Sequence, residues 1–259
     1  TSGAVVRVYG YGDPAGGREN APTRMAAMGG SYRTRSAADA SWPSQAFYGR
    51  RETFWSRMGD SVRMVGRLIL PVTTLLLSFA AIYLYLDTPA PLIVGAAEGS
   101  WLTVGHLLVP FSFLCIHLTN RRYGPSYAFA QVVIALALGA AFALYAVPKL
   151  AGIVPFKFVP DMRVALAFAG AFLGASFISI VVFDGSRGPR WWIAPLFGMV
   201  SACALFCLIF YPAAYAGIAP WTYRMLLHME MVMGIAVLAL IPYWILRGIV
   251  RPLPGFNGY

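Results

Sequence analysis

Trp101–Pro125 reads WLTVGHLLVPFSFLCIHLTNRRYGP, and this stretch predicts the fold of the chain. Its apolar part runs from Leu102 to about Thr119, which is long enough for a helix to cross a bilayer at about 1.5 Å per residue. The adjacent Arg121 and Arg122 follow, and arginine and lysine favour the cytoplasmic side of a membrane. The stretch therefore predicts one membrane span whose arginine-bearing end lies inside the cell.

The composition indicates an integral membrane protein. Of the 259 residues, 59% are hydrophobic and 12% are charged, and the mean hydropathy is +0.65. Soluble domains have about 45–50% apolar and about 25% charged residues. Because the apolar residues form long blocks, we predict an all-α membrane protein with a six-transmembrane-helix bundle. The predicted spans are Leu68–Leu86, Leu102–Thr119, Tyr127–Val147, Val164–Phe183, Trp191–Ala216 and Met225–Ile249.

The segment before the first span divides into two parts. Residues 1–45 are rich in Gly, Ser, Ala and Arg, and we predict a basic cytoplasmic tail there. Residues 46–66 carry apolar and basic positions near helical spacing, which predicts an amphipathic helix in the headgroup region, and Gly59–Ser61 predicts a break before the transmembrane domain, residues 67–259. Candidate contacts of this helix with lipid or a partner are Arg50, Arg51, Phe54, Trp55 and Arg57.

The basic residues predict the orientation and the partners. With the N-terminus inside, sixteen of the 20 Lys and Arg residues fall on the cytoplasmic side, so both termini are predicted to be cytoplasmic. The net charge of +10 suggests contacts with anionic membrane lipids or with other membrane-protein subunits. The sequence contains no nucleic-acid motif, and we therefore set nucleic acid aside as a partner.

Glu230 is the clearest ionisable residue deep in a span. It lies about 8 Å below the start of the last apolar run, at about 1.5 Å per residue, where an acid costs free energy unless it is paired or protonated. Its expected partners are His106 and Arg224, whereas His228, two residues away, is expected to point elsewhere. Two interpretations stay open: a substrate or proton site, and a structural hydrogen-bonded pair, which we favour.

The other polar residues predict neither catalysis nor a resident cofactor. His106 and His228 lie in the same half of the membrane, but two histidines are not sufficient evidence for haem, and we set haem ligation aside. His117 is interpreted as interfacial, and Asp184 as the start of a tight turn with a local charge pair. No triad, P-loop, zinc or dinucleotide motif is present, so we expect neither an enzyme nor a metal site.

Several pieces of the chain carry a family resemblance by their order and spacing. The most specific is LTNRRYGP at 118–125; the others are LTVG at 102–105, PFSFL at 110–114, residues 163–174, VFD at 182–184, WWIAP at 191–195 and IPY at 241–243. From about Gly99 to Arg251 the chain resembles the VUT family of queuosine precursor transporters, six-span inner-membrane carriers of deazaguanine bases. The resemblance implies a six-helix bundle in a bacterial inner membrane.

The chain departs from the family at its polar positions. The family has an acid before Leu-Thr-Asn, where this chain has His117. The family also has an acid on the span before the Asp184 turn, where this chain reads Ser176–Ser179. The polar pair of the next span is replaced within Ser201–Ala204, and a lysine of the last span within Glu230–Met233. A polar base needs buried hydrogen-bond partners, so these replacements favour a retained fold with lost transport.

Two hypotheses follow for the function. The first is a carrier of a queuosine precursor or another small polar solute, with a midplane pocket formed by His106, His117, Asn120, Ser176, Ser201 and Glu230. The second, which we favour, is an accessory or scaffold subunit of a larger membrane complex. It is motivated by the lost polar groups and by the N-terminal arm, which is rich in arginine and aromatic residues and which a carrier does not require.

Overall fold

The described part of the chain is helical. The computed structural model describes residues 54–86, 88–90, 101–146, 149, 161–218 and 220–253. The all-α prediction is confirmed for those residues, where the extended pairing is one isolated bridge between Pro89 and Thr103. The helices are α1 (Phe54–Leu84), α2 (Val104–Tyr123), α3 (Pro125–Ala141, continued by a π-helical turn, Phe142–Ala146), α4 (Met162–Gly185), α5 (Ile193–Tyr215), α6 (Trp221–Leu238) and α7 (Leu240–Ile249).

Among the residues that the structure describes, four helical segments are long and apolar enough to cross a membrane: Val62–Leu84, Met162–Gly185, Ile193–Tyr215 and Trp221–Ile249. By length and composition these segments agree with the predicted membrane protein, whereas the count of six spans stays a prediction. Helix α3 has 17 residues. Helix α2 has 20 residues, but His106, His117 and Asn120 within it, with the arginine pair at its end, lower its apolarity.

The last predicted span consists of two helices. Helix α6 ends at Leu238 and α7 begins at Leu240, with Ala239 between them. Pro242 lies in the first turn of α7. Proline has no N–H to continue the preceding helix but is tolerated in a first turn, which accounts for a new helix starting at this place.

Helix α1 is continuous through Gly59–Ser61, so the predicted break there is wrong. A glycine inside a helix costs only about 1 kcal/mol, which a helix of 31 residues tolerates. Phe54, Trp55 and Arg57, predicted to contact lipid or a partner, lie in the first turns of α1, while Arg50, Arg51 and the tail lie outside the described residues. The part of the predicted amphipathic segment that the structure describes is therefore the beginning of the first long helix.

The core is built around α5, which packs on α4 along one side and on α6 along the other. Aromatic rings fill the space between helices: Phe113 of α2 stacks on Phe172 of α4 at 5.0 Å, and Phe79 of α1 meets Phe172 edge-on at 4.9 Å. Ala171 and Ala175 of α4 are fully buried. Ala171 and Ala175 therefore serve close packing of this helix.

The two ends of the bundle differ in charge. Helices α2, α4 and α7 end, and α5 begins, at one end, which we call the arginine end. There the segment after α7 is tied to α2, because Arg121 Nε donates to the carbonyl oxygen of Val250 (3.3 Å) and the Leu253 N–H donates to that of Arg122 (3.1 Å). At the opposite end α2 and α6 begin, and α5 ends.

Candidate functional site

Two buried polar clusters lie in the bundle, one toward each end. The first is the histidine pair, formed by His106 of α2 and His228 of α6, whose rings meet edge to face with centroids 5.1 Å apart. His228 Nε2 lies 3.1 Å from the His106 carbonyl oxygen. Because a carbonyl oxygen only accepts, Nε2 carries the proton, and Nδ1 accepts from the Tyr211 hydroxyl at 3.2 Å. Both ring nitrogens of His228 therefore have protein partners.

The start of α2 holds His106 in place. Thr103, the N-cap residue, lies with its Oγ1 2.8 Å from His106 Nδ1, and its backbone N–H donates to the same nitrogen at 3.3 Å. This is a capping box in which histidine takes the usual place of Glu or Gln. Gly105 brings this turn against α1, since a Cβ at Gly105 would lie 2.5 Å from the Ile82 carbonyl oxygen. The histidine pair therefore sits on closely packed backbone.

The histidine pair does not have the geometry of a haem site. The two rings touch each other, and both nitrogens of His228 are engaged by Tyr211 and by the His106 backbone. A haem iron needs an open ring nitrogen on each axial histidine. Within the described residues, no group of three or more His, Cys, Asp or Glu side chains is placed to hold a metal ion.

Glu230 lies on a different face of α6 from the histidine pair. The inward face of α6 carries His228, Val232 and Ala236, all buried, whereas Glu230 is exposed. Two residues along a helix turn the side chain by about 200°, so His228 inside places Glu230 outside. His228, and not Glu230, meets His106, so the predicted partnership of Glu230 with His106 is wrong. Arg224, the other expected partner, lies over the Trp101 ring at 5.6 Å.

The second cluster surrounds His117, which is fully buried, so its interpretation as interfacial is wrong. His117 lies on the inward face of α2, four residues from Phe113 and three from Asn120, both of them buried. Its Nε2 hydrogen-bonds with Ser179 Oγ at 3.1 Å, and its ring stacks on Phe183 at 4.9 Å. We call His117, Ser179, Ser176 and Asn120 the inner cluster.

Gly198 makes the room that His117 occupies. A Cβ at Gly198 would lie 2.7 Å from His117 Cε1 and 2.8 Å from its Nε2. The side chain of His117 therefore packs between α2, α4 and α5, directly against the backbone at Gly198. Among the described residues, its Nδ1 has no hydrogen-bond partner, and the same is true of Ser176 Oγ and of Gln131 Oε1. Nδ1 lacks such a partner in either tautomer of His117.

Asn120 joins the inner cluster to charged groups at the arginine end. Its Nδ2 donates to Asp184 Oδ1 at 3.0 Å, and its Oδ1 accepts from Arg187 Nη2 at 3.2 Å. Arg187 and Asp184 form an ion pair at 2.6 Å, which confirms the charge pair predicted for this turn. Only this amide orientation satisfies both neighbours, because a carboxylate accepts and a guanidinium donates.

The structure brings together only part of the predicted pocket. His117, Asn120 and Ser176 are buried in the half of the bundle nearer the arginine end, and His106 lies in the other half. Ser201 Oγ donates to the Gly198 carbonyl oxygen of its own helix at 3.0 Å. Glu230 is exposed. The six residues therefore do not line one cavity.

Sequence reasoning missed two polar bridges between helices. Gln131 Nε2 of α3 donates to the Pro71 carbonyl oxygen of α1 at 2.7 Å, and Ser78 meets Ser112 of α2 at 2.7 Å. The signal for Gln131 was present, since a glutamine inside an apolar run needs a buried partner. The serines gave no such signal, because a hydroxyl can also bond to its own helix.

Comparison with known proteins adds no assignment. A scan of family models, a search of curated proteins and a search of solved structures each returned no match to this chain.

Proposed function

We propose that this chain is an accessory or scaffold subunit of a larger membrane complex, built on a six-span bundle that resembles the VUT transporters. The observation that carries the proposal is the exposure of Glu230. At about 1.5 Å per residue it lies about 14 Å from the start of α6, near the middle of the Trp221–Ile249 segment. A carboxyl group facing hydrocarbon there is costly, and a partner helix that covers it removes that cost.

The surroundings of Glu230 fit a docking face for another helix. Leu226 and Val237, four residues before and seven after, are both exposed, as is Gly234 between them. A Cβ at Gly234 would meet no atom within 4 Å, so a partner backbone can approach there. Small residues on an exposed helix face permit such close contact. We call Leu226, Glu230, Gly234 and Val237 the α6 stripe.

The remaining parts of the proposal concern placement. Sixteen of the 20 basic residues lie on the side of the N-terminus in a six-span topology, which supports cytoplasmic termini in a bacterial inner membrane. The N-terminal arm, with Arg50, Arg51 and the first turns of α1, provides a second contact for a partner. We propose no enzymatic activity and no resident cofactor.

Photocrosslinking in the native membrane tests the proposal. A photoreactive amino acid at Leu226 is expected to link the chain to one defined polypeptide in high yield, and Gly234→Leu is expected to reduce that product at least tenfold by blocking the stripe. Gly170→Leu is the matched control, because Gly170 is also helical and has open space around its Cβ. Reaction of Leu226 with lipid alone, in protein extracted as a small particle, would contradict the subunit role.

A second candidate function is transport of a small polar solute. It is favoured by His117 Nδ1, Ser176 Oγ and Gln131 Oε1, which have no partner among the described residues and can hydrogen-bond with a ligand if the helices move apart. Uptake of deazaguanine bases into vesicles tests it. A carrier is expected to lose uptake in His117→Phe and keep it in Gly234→Leu, whereas a scaffold shows no uptake above vesicles without protein.

A further inference from the structure

A cleft at the arginine end is lined by an unusual number of cationic side chains. Its volume is ≈ 430 Å³, within the range of about 300–1,000 Å³ found for small-ligand sites. Five arginines face it: Arg121, Arg187, Arg190, Arg247 and Arg251. We call it the arginine cleft.

The arginines reach the cleft from separate parts of the chain. Arg121 comes from the end of α2, Arg187 and Arg190 from the turn between α4 and α5, and Arg247 and Arg251 from the end of α7 and the residues after it. Like charges that converge by folding repel one another. Among the described residues, Asp184 balances one of them through its ion pair with Arg187, and Arg190, Arg247 and Arg251 add three further positive charges to the lining.

Two of the cleft arginines, Arg247 and Arg251, are anchored by neighbouring groups and keep N–H donors for a ligand. Arg251 Nε donates to the Gly248 carbonyl oxygen at 3.3 Å, and Arg247 stacks its guanidinium over the Trp191 ring at 4.6 Å. A guanidinium carries five N–H donors in a plane, so one bond or one stacked face leaves others directed outward. Helix C-termini stabilise nearby cations by about 0.3–1 kcal/mol, which explains single arginines there but not their convergence on one cleft.

We propose that the arginine cleft binds the phosphate group of an anionic phospholipid. Arginine forks match phosphate oxygens in bidentate geometry, and basic pockets between membrane helices bind anionic headgroups. Trp191 and Trp192, both 37% exposed, stand beside the cleft, and exposed tryptophans at helix ends are typical of the membrane interface. The cleft therefore lies at the level where lipid phosphates are concentrated.

The lining favours a lipid over a free phosphate ion. Phe183, Ala194, Trp191 and Tyr243 supply apolar surface between the cations. A headgroup that continues into glycerol and acyl chains contacts such surface, whereas a small inorganic anion gains nothing from it. The shared chemistry is a phosphate oxyanion, and the lipid is the source that satisfies both parts of the lining.

Lipid titration of the full-length protein in mild detergent tests the proposal. Short-chain phosphatidylglycerol and phosphatidylcholine with the same acyl chains are added, and bound lipid is counted by native mass spectrometry. The wild type is expected to bind phosphatidylglycerol at least tenfold more tightly. Arg190→Gln with Arg247→Gln is expected to weaken that binding by at least about tenfold, since one charge-assisted hydrogen bond accounts for about that factor.

Two matched controls distinguish lipid binding in the cleft from a general effect of positive charge. Arg122→Gln removes the same charge at the same end from a residue outside the cleft lining. Arg224→Gln removes an arginine that also lies over a tryptophan, at the opposite end. Both are expected to bind phosphatidylglycerol within twofold of the wild type.

The proposal is overturned by three results. Equal binding of the two lipids by the wild type contradicts it without any variant, so a variant that fails to fold does not decide the outcome. Equal loss in Arg122→Gln and in the double variant shows a diffuse charge effect. Displacement of phosphatidylglycerol by inorganic phosphate at constant ionic strength, with no gain from the acyl chains, assigns the cleft to a soluble ion instead of a lipid.

Discussion

The histidine pair and the inner cluster are both buried, yet their hydrogen bonds differ. In the histidine pair both ring nitrogens of His228 have protein partners, Tyr211 and the His106 backbone. In the inner cluster His117 Nε2 lies 3.1 Å from Ser179 Oγ, whereas its Nδ1 has no partner among the described residues. A satisfied buried network stabilises one conformation, whereas a partly satisfied one carries a free-energy cost that a ligand or a movement can relieve. The histidine pair therefore stabilises one conformation, whereas the inner cluster keeps a polar atom that can still bind a ligand.

The largest loss of stability is expected when alanine replaces the glycines that allow close packing beside each cluster. In Gly105→Ala the new Cβ would meet the Ile82 carbonyl oxygen at 2.5 Å, and backbone cannot turn aside. In Gly198→Ala it would meet the His117 ring at 2.7 Å, and the ring can shift. We expect Gly105→Ala to cost about 3 kcal/mol or more and Gly198→Ala about 1–3 kcal/mol, measured by thermal unfolding in mild detergent.

Gly170→Ala is the control for this glycine comparison. Its Cβ would meet no atom within 4 Å, and alanine is favoured over glycine in a helix, so stability is expected to rise by up to about 1 kcal/mol. A larger loss of unfolding free energy in Gly198→Ala than in Gly105→Ala would contradict this difference between the two clusters.

The next largest loss of stability is expected from replacing the histidines of the two clusters. His228→Phe leaves the Tyr211 hydroxyl and the His106 carbonyl oxygen without their partner, at an expected cost of about 2–4 kcal/mol. His117→Phe keeps the stacking on Phe183 and loses one hydrogen bond, at about 1 kcal/mol or less. Adding Tyr211→Phe to His228→Phe is expected to recover part of the loss. Equal unfolding temperatures for the two single variants would contradict the difference between the clusters.

The smallest expected difference in stability is between alanine variants of two serines that lie one turn apart on α4. Ser179→Ala removes the partner of His117 and is expected to cost about 1 kcal/mol. Ser176→Ala removes a buried hydroxyl that has no partner in the described part of the chain, and it is expected to be neutral or slightly stabilising. Both side chains are fully buried, so the pair is matched in exposure. A cost for Ser176→Ala equal to that of Ser179→Ala would show that Ser176 has a partner in the membrane.

The fold class followed from the sequence because it depends on hydropathy and length. Long apolar blocks predict spanning helices wherever they occur, and the turn at Asp184 and Arg187 follows from local chemistry. The start of α1 was harder, since a Gly-Asp-Ser break signal is weaker than the packing of a long helix. Local signals were therefore sufficient for turns and insufficient for the continuity of a helix.

The site was harder still, because it depends on which face of each helix is buried. His228 and Glu230 are two residues apart, and the sequence pointed to the acid because its cost in a membrane is higher. The structure turns the histidine inward and leaves the acid outside. An apolar helix has a weak amphipathic pattern, so the rotation of α6 is decided by neighbours such as Tyr211, which no local pattern of α6 contains.

The ties between α2 and the segment after α7 have a consequence for biosynthesis. Arg122 and Arg251 are separated by 129 positions in the chain, and Arg122 donates to the Arg251 carbonyl oxygen. At about 5–20 residues per second, the ribosome adds that length in about 6–26 s. During this interval the end of α2 has been made but its partner has not. A chaperone therefore has seconds in which to bind the arginine pair before the end of the chain covers it.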